Sequence, residues 1–273
     1  MTALRAAAQT TAATFWLVVV AALAPAHADV PAPPVAWPAA AGTVDWAGRT
    51  VDVLGVAAPF VQSPTVAFAP DAPEEVARAD AARKMIVALL AVRTRGAATV
   101  GDLVKADDKL LGRLDELARA YEVRTTRRFS DGGLEIAARV SLDAALGVVS
   151  LPLPAAPPAS APAPGAGGLV VDATAAKDFV PCVLPALATA AGVMLADGGA
   201  ATGWRYAGSP KAARALLGDP KAPGVKATGV LAGDPGVLTL PAAEAAKLET
   251  FPGAAEALRA GRVVIVAGKP KKK

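Results

Sequence analysis

The sequence predicts an α+β protein of two small domains, each with helices packed on a mainly antiparallel sheet. Three observations predict it. Apolar residues recur at helical spacing over 76–90 and 103–121, and two alternating strands flank Ser130-Asp131-Gly132-Gly133. A run of proline, alanine and glycine over 151–167 then divides the chain.

Residues 1–28 read as a secretory signal. Arg5 and a polar stretch precede an apolar run from Phe15 to Ala24, followed by Pro25-Ala26-His27-Ala28-Asp29. A basic start, a short apolar centre and a small-x-small site are the three parts of such a signal, and cleavage is expected after Ala28. A membrane span needs about 20 apolar residues, more than this run supplies before Pro25. No cysteine lies near the cleavage point, which argues against a lipid anchor. The expected location is the periplasm or the cell exterior. Residues 29–41, with Pro31, Pro33, Pro34 and Pro38, read as an extended arm.

The first domain spans 42–150. Thr50 to Val56 reads as a strand. Asp71-Ala72-Pro73-Glu74 resembles a capping box, behind which Val76, Ala79, Ile86, Leu89 and Leu90 mark one helix face. Thr99-Val100-Gly101-Asp102 opens a second helix, with Leu103, Leu110, Leu114, Leu117 and Tyr121 facing inward. A hairpin closes the domain: Val123, Thr125, Arg127 and Phe129 alternate before its turn, and Leu134, Ile136, Ala138, Val140 and Leu142 face a core after it. The order is β-α-α-β-β.

The second domain spans 168–268. Leu169-Val170-Val171 reads as a buried strand. Phe179 to Ala196 is long and apolar, but Pro181, Pro185 and Gly192 interrupt it, so two strands around Thr189–Gly192 are expected rather than a membrane helix. A short helix over 209–217, strands over 225–231 and 236–240, a helix over 241–248 and a last strand over 262–267 follow. Residues 269–273 form a lysine-rich tail. Such a tail can touch anionic lipid or polymer, and otherwise keeps a chain end solvated.

Composition excludes several chemistries. The one histidine, His27, leaves with the signal, and with it go the commonest general base and metal ligand. Cys182 is the only cysteine, so no intramolecular disulfide forms, and its apolar surroundings suit a buried structural thiol. Ser209, in Gly208-Ser209-Pro210, reads as a helix cap rather than a nucleophile. The adjacent acids Asp107-Asp108 and Asp115-Glu116 cannot face each other on a helix and read as a solvated face. No catalytic, cofactor-binding or metal-binding residue is predicted. Apart from Arg5 and the tail lysines the charges nearly balance, so no nucleic-acid partner is expected.

Two groups of residues are candidates for ligand or partner contact. Arg124, Arg127 and Arg128 lie on one hairpin strand, with Arg139 on the other; pairing across strands with Glu122 and Glu135 is the alternative use of these charges. Trp204, Arg205 and Tyr206 would suit a cell-wall glycan or an anionic envelope polymer, and core packing accounts for them equally well.

Three segments of the first domain resemble the N-terminal domain of the flagellar assembly protein T family and related small outer-membrane lipoproteins. They are Val53-Leu54-Gly55-Val56-Ala57, the alanine- and arginine-rich helix start Ala77 to Arg83, and the hairpin ending Ala138-Arg139-Val140. The second domain is similar to a companion module of exported bacterial proteins, through Gly168 to Ala173, the hairpin from Pro185 to Gly192, and Arg262 to Val266. The resemblance implies a non-enzymatic accessory or scaffold role in envelope or flagellar-motor assembly, with envelope proteins as partners and no cofactor. The chain departs from that pattern in lacking the lipoprotein cysteine.

Overall fold

Period-two alternation builds the first sheet. The computed structural model describes residues 35–59, 72–105, 107–151, 167–198 and 204–268; the expected signal segment, the expected cap at Asp71, nearly all of the Pro/Ala/Gly run and the lysine-rich residues 269–273 lie outside them. The first strands are β1 (Ala36–Ala39), β2 (Gly42–Asp45) and β3 (Thr50–Ala57). Then come helix α1 (Ala72–Leu90), the small hairpin β4 (Arg93–Arg95) and β5 (Ala98–Thr99), and helices α2 (Val100–Val104) and α3 (Asp108–Arg119). Strands β6 (Glu122–Arg128) and β7 (Leu134–Ser141) and helix α4 (Leu142–Val148) complete this half. The sheet is antiparallel throughout, in the order β1-β2-β3-β7-β6.

The predicted hairpin is present, and Leu134, Ile136, Ala138 and Val140 are buried as its alternation requires. The arm is shorter than its prolines suggest, because β1 lies within it. Pro38 is accommodated there because β1 is an edge strand, where a missing N–H breaks no ladder bond.

Helix α1 presents only part of the expected face: Leu89 is buried, and Ile86 and Leu90 pack half-buried against the core. Its buried stripe is Ala77, Ala81, Met85, Ala88 and Leu89, whereas Val76 is 52% exposed. The cause is Gly55. A Cβ there would lie 2.6 Å from Ala81 Cβ and still closer to the Ala77 carbonyl, so only glycine opposite two alanines lets helix and strand meet. β2 pairs β3 only as far as Asp52. Beyond it, α1 satisfies backbone groups of β3 itself: Val56 N–H donates to Asp80 (2.9 Å) and Lys84 donates to the Leu54 carbonyl (2.8 Å).

The expected second helix is two helices. Thr99 and Asp102 close a reciprocal capping box on α2, and Asp107 caps α3 anew. Leu103 is consequently exposed and Val104 buried, while Leu114 keeps its inward place.

The second half comprises β8 (Leu169–Asp172), β9 (Ala186–Thr189), β10 (Met194–Asp197), β11 (Arg205–Ala207), α5 (Pro210–Leu217), β12 (Gly224–Lys226) and β13 (Gly229–Leu231). After these come β14 (Asp234–Leu240), α6 (Ala242–Thr250), α7 (Ala254–Arg259) and β15 (Val263–Val266). Within the apolar stretch 179–196 the two expected strands flank residues 190–193, after an irregular segment over 179–185, and no helix among the described residues is long and apolar enough to cross a membrane.

The α+β class holds, but this half is not mainly antiparallel. One sheet, β11-β15-β8-β12, is wholly parallel, and the other, β10-β9-β14-β13, is mixed. Parallel strands buried on both faces read as unbroken apolar runs, which Leu169-Val170-Val171 and Val263-Val264-Ile265-Val266 are. The single strand expected over 225–231 divides at Ala227 and Thr228. Ala227 bonds back to Asp172 and Thr228 to Thr239, so β12 and β13 join different sheets.

Two separately packed domains are not drawn among the described residues. Both halves fall in one compact unit, and one cluster of buried side chains runs from Val35 to Ala267. Backbone bonds join them: Val183 N–H donates to the Arg93 carbonyl (3.0 Å) and Leu184 N–H to that of Thr94 (2.9 Å). Arg95 pairs with Asp197 at 2.8 Å alongside.

Gly55→Ala is expected to lower stability by about 1–3 kcal/mol through overpacking against α1. Gly147→Ala, on a helix position with nothing within 4 Å, should be neutral or stabilising by roughly 0.5–1 kcal/mol. Urea denaturation of both variants is the measurement. Equal midpoints for the two would remove the close α1–β3 approach as the cause.

Candidate functional site

Among the described residues, helices pack on only one face of the first sheet. Directly opposed residues of neighbouring strands share a face, so the pairing register sorts them. Val51, Val53, Gly55 and Ala57 of β3 align with Val140, Ala138, Ile136 and Leu134 of β7 on the side packed by α1. The other side carries three rows. Asp52, Arg139 and Glu122 form a charged row, Leu54, Ala137 and Thr125 an uncharged one, and Val56, Glu135 and Arg127 a mixed one. Leu54 is 44% and Val56 40% exposed. This open face is the candidate site.

The four sequence-predicted arginines separate. Arg139 lies on the open face and grips Asp52 with two parallel bonds, Nε–Oδ1 2.6 Å and Nη2–Oδ2 3.1 Å. The Asp52 carboxylate holds the Arg139 guanidinium above its ordinary pKa. Arg127 shares this face, opposite Glu135. Arg124 sits in a bulge between Val123 and Thr125 and pairs with Glu122 at 2.8 Å. Arg128 lies on the helix side instead, 3.0 Å from Glu74 of α1. The pairing across strands expected for Glu122 and Glu135 is not what forms: Glu122 pairs with Arg124 of its own strand, and the partners Asp52 and Glu74 belong to elements far along the chain.

Trp204, Arg205 and Tyr206 are not a surface cluster. Trp204 and Tyr206 are 4% and 3% exposed, so neither ring is presented to a glycan. Tyr206 packs on Trp46 (ring centroids 5.5 Å) and Phe179 (6.3 Å). Its hydroxyl donates to the Cys182 carbonyl (2.8 Å) and accepts from the Cys182 N–H (3.1 Å). Burial and the neighbouring Cys182 raise the Tyr206 pKa well above its ordinary value. Arg205 is half-buried. Burial and the nearby Arg49 lower its guanidinium pKa, against an opposing pull from Asp143. Arg49, which pairs with Asp143, and Trp46 were not anticipated; both lie in an irregular segment where neither period applies.

Cys182 is a buried thiol, pushed up to about 12 chiefly by burial and then by Asp234. Ser209 caps α5 through its hydroxyl, 3.2 Å from Ala212 N–H. Asp107 caps α3 and Asp115 pairs with Arg119, which gives both acids structural roles. Among the described residues no three His, Cys, Asp or Glu side chains gather as a metal site. No protein-family model matches the chain, and comparison with curated proteins returned no match.

The two buried acids fix an alkaline response. The unfolded chain ionises Cys182 near 9.0 and Tyr206 near 10.0, while the folded chain keeps both neutral to higher pH. Stability is therefore full below about pH 9 and declines as pH rises toward 12, by at most about 1.4 kcal/mol per pH unit for each group. The urea midpoint measured against pH checks this, and a midpoint unchanged from pH 8 to 11 would overturn the assignment. Tyr206→Phe, which strips both Cys182 backbone groups of their partner, should cost about 1–3 kcal/mol.

Proposed function

We propose that the chain is an exported, non-enzymatic envelope protein, an accessory or scaffold of an envelope assembly that acts through protein–protein contacts. The observation that carries this reading is the open sheet face, where Leu54 stands exposed beside Ala137 and Thr125 between two charge-bearing rows, one of which also holds exposed Val56. An apolar strip rimmed by polar groups suits contact with another protein. The signal-like residues 1–28 support export, and the resemblance to the flagellar assembly protein T domain supports an envelope or flagellar-motor assembly. The loss of the only histidine with that segment supports a role without acid–base chemistry.

A photo-cross-linking amino acid placed at Leu54 or Thr125 tests the reading in living cells. The expected outcome is a discrete adduct with an envelope protein from both positions. None is expected from the same group at Val193, a 62%-exposed residue of the β9–β10 turn. Adducts of equal yield from all three positions, or none from Leu54 and Thr125, would reject the open face as the contact surface.

A further inference from the structure

A sheet edge keeps backbone hydrogen-bonding groups that another strand can take up. Among the described residues the free edges are unequal. β1 has four residues and contains Pro38, β10 has four, and β11, β12 and β13 have three each. β6 has seven, ends the first sheet, and is exposed at every position except half-buried Val123. Thr125 and Thr126 favour extended backbone, and beyond the bulge the register with β7 is regular from Thr125 to Arg128.

The charge of this edge is one-sided. Arg124, Arg127 and Arg128 stand against a single acid, Glu122. The ion pairs of Arg124 with Glu122 and of Arg128 with Glu74 are exposed, and such solvent-screened pairs are weak, so they exchange readily for other carboxylates. Arg127 makes no ion pair among the described residues. Arginine also meets a carboxylate with two parallel N–H bonds, which gives direction as well as charge.

The geometry points to β6 as a strand-addition site for an acidic extended segment of a protein partner, an inference that rests on the scaffold reading above. Main-chain bonds along the edge supply affinity, and alternate side chains supply selectivity. A partner strand beside Thr125–Arg128 sets every second residue next to Arg127 on the open face, and the others next to Thr126 and Arg128 on the helix face. A second copy of this chain is the poorer occupant. Antiparallel self-pairing about Thr126 sets Arg124 opposite Arg128, and about Arg127 it sets that arginine against itself.

The test uses the purified full chain and an end-capped, fluorescent eight-residue peptide of alternating glutamate and valine. Two companions are needed: a lysine/valine peptide, and the glutamate/valine peptide with alternate backbone nitrogens methylated. The acidic peptide is expected to bind roughly tenfold or more tightly than either companion, and Arg127→Glu to weaken it by a similar factor without moving the urea midpoint. Amide exchange at Thr125–Arg128 should slow on binding. Equal binding by the methylated peptide would reduce the edge to a charge contact. Equal binding by the lysine peptide, or no binding, would overturn the proposal altogether. Outer-face adducts that persist alongside such a failure leave the scaffold reading standing, whereas their loss with peptide binding intact removes that reading alone.

Discussion

The missing side chain at Gly55 sets the distance between α1 and the first sheet, and much else depends on that distance. With Ala77 and Ala81 pressed against the strand, α1 comes near enough for Asp80 and Lys84 to bond the β3 backbone where β2 has ended. A larger residue would hold the helix away and leave those backbone groups to water. The same helix brings Glu74 to Arg128 and receives the Tyr121 hydroxyl at the Arg78 carbonyl. One glycine thus fixes which face of the sheet is covered and which stays open.

The second constraint is the seam between the halves. Tyr206 fills it from β11, packs on Trp46 from the first half, and spends its hydroxyl on both backbone groups of Cys182. A buried hydroxyl without partners would be costly, so this double bond is what lets an aromatic with a polar tip sit in a core. The β4–β5 hairpin closes the seam elsewhere, through the Arg93 and Thr94 carbonyls. The joint therefore combines apolar packing with backbone bonds of fixed direction, which disfavours sliding of one half on the other.

The sequence was legible where structure is local. The β6–β7 hairpin, the Ser209 cap, the helix start at Thr99 and the turn in 179–196 each follow from residues within a few positions. It was not legible where distant residues compete. Val76 looked inward by period, but the alanines beside it won because Gly55, some 20 residues away, accepts only small partners. Proline counts hid β1, since an edge position cannot be recognised before the sheet order is known. The parallel sheet did leave a trace in the unalternated runs of β8 and β15. The candidate site was half visible: the arginines were found, but their partners Asp52 and Glu74 came from another strand and another helix.

The burial of Trp204 and Tyr206 also changes where recognition can reside. Aromatic side chains are common recognition anchors, but these two are committed to the core, and the open face carries aliphatic, threonine and charged groups instead. Charge on that face is arranged rather than merely present. Arg139 is held by Asp52 in a two-bond grip beside Glu122, which itself pairs with Arg124. Arg127, at the far margin, lacks such a grip. Among the described residues the face presents a paired polar border, an exposed apolar strip and, at the sheet's edge, an arginine that makes no ion pair.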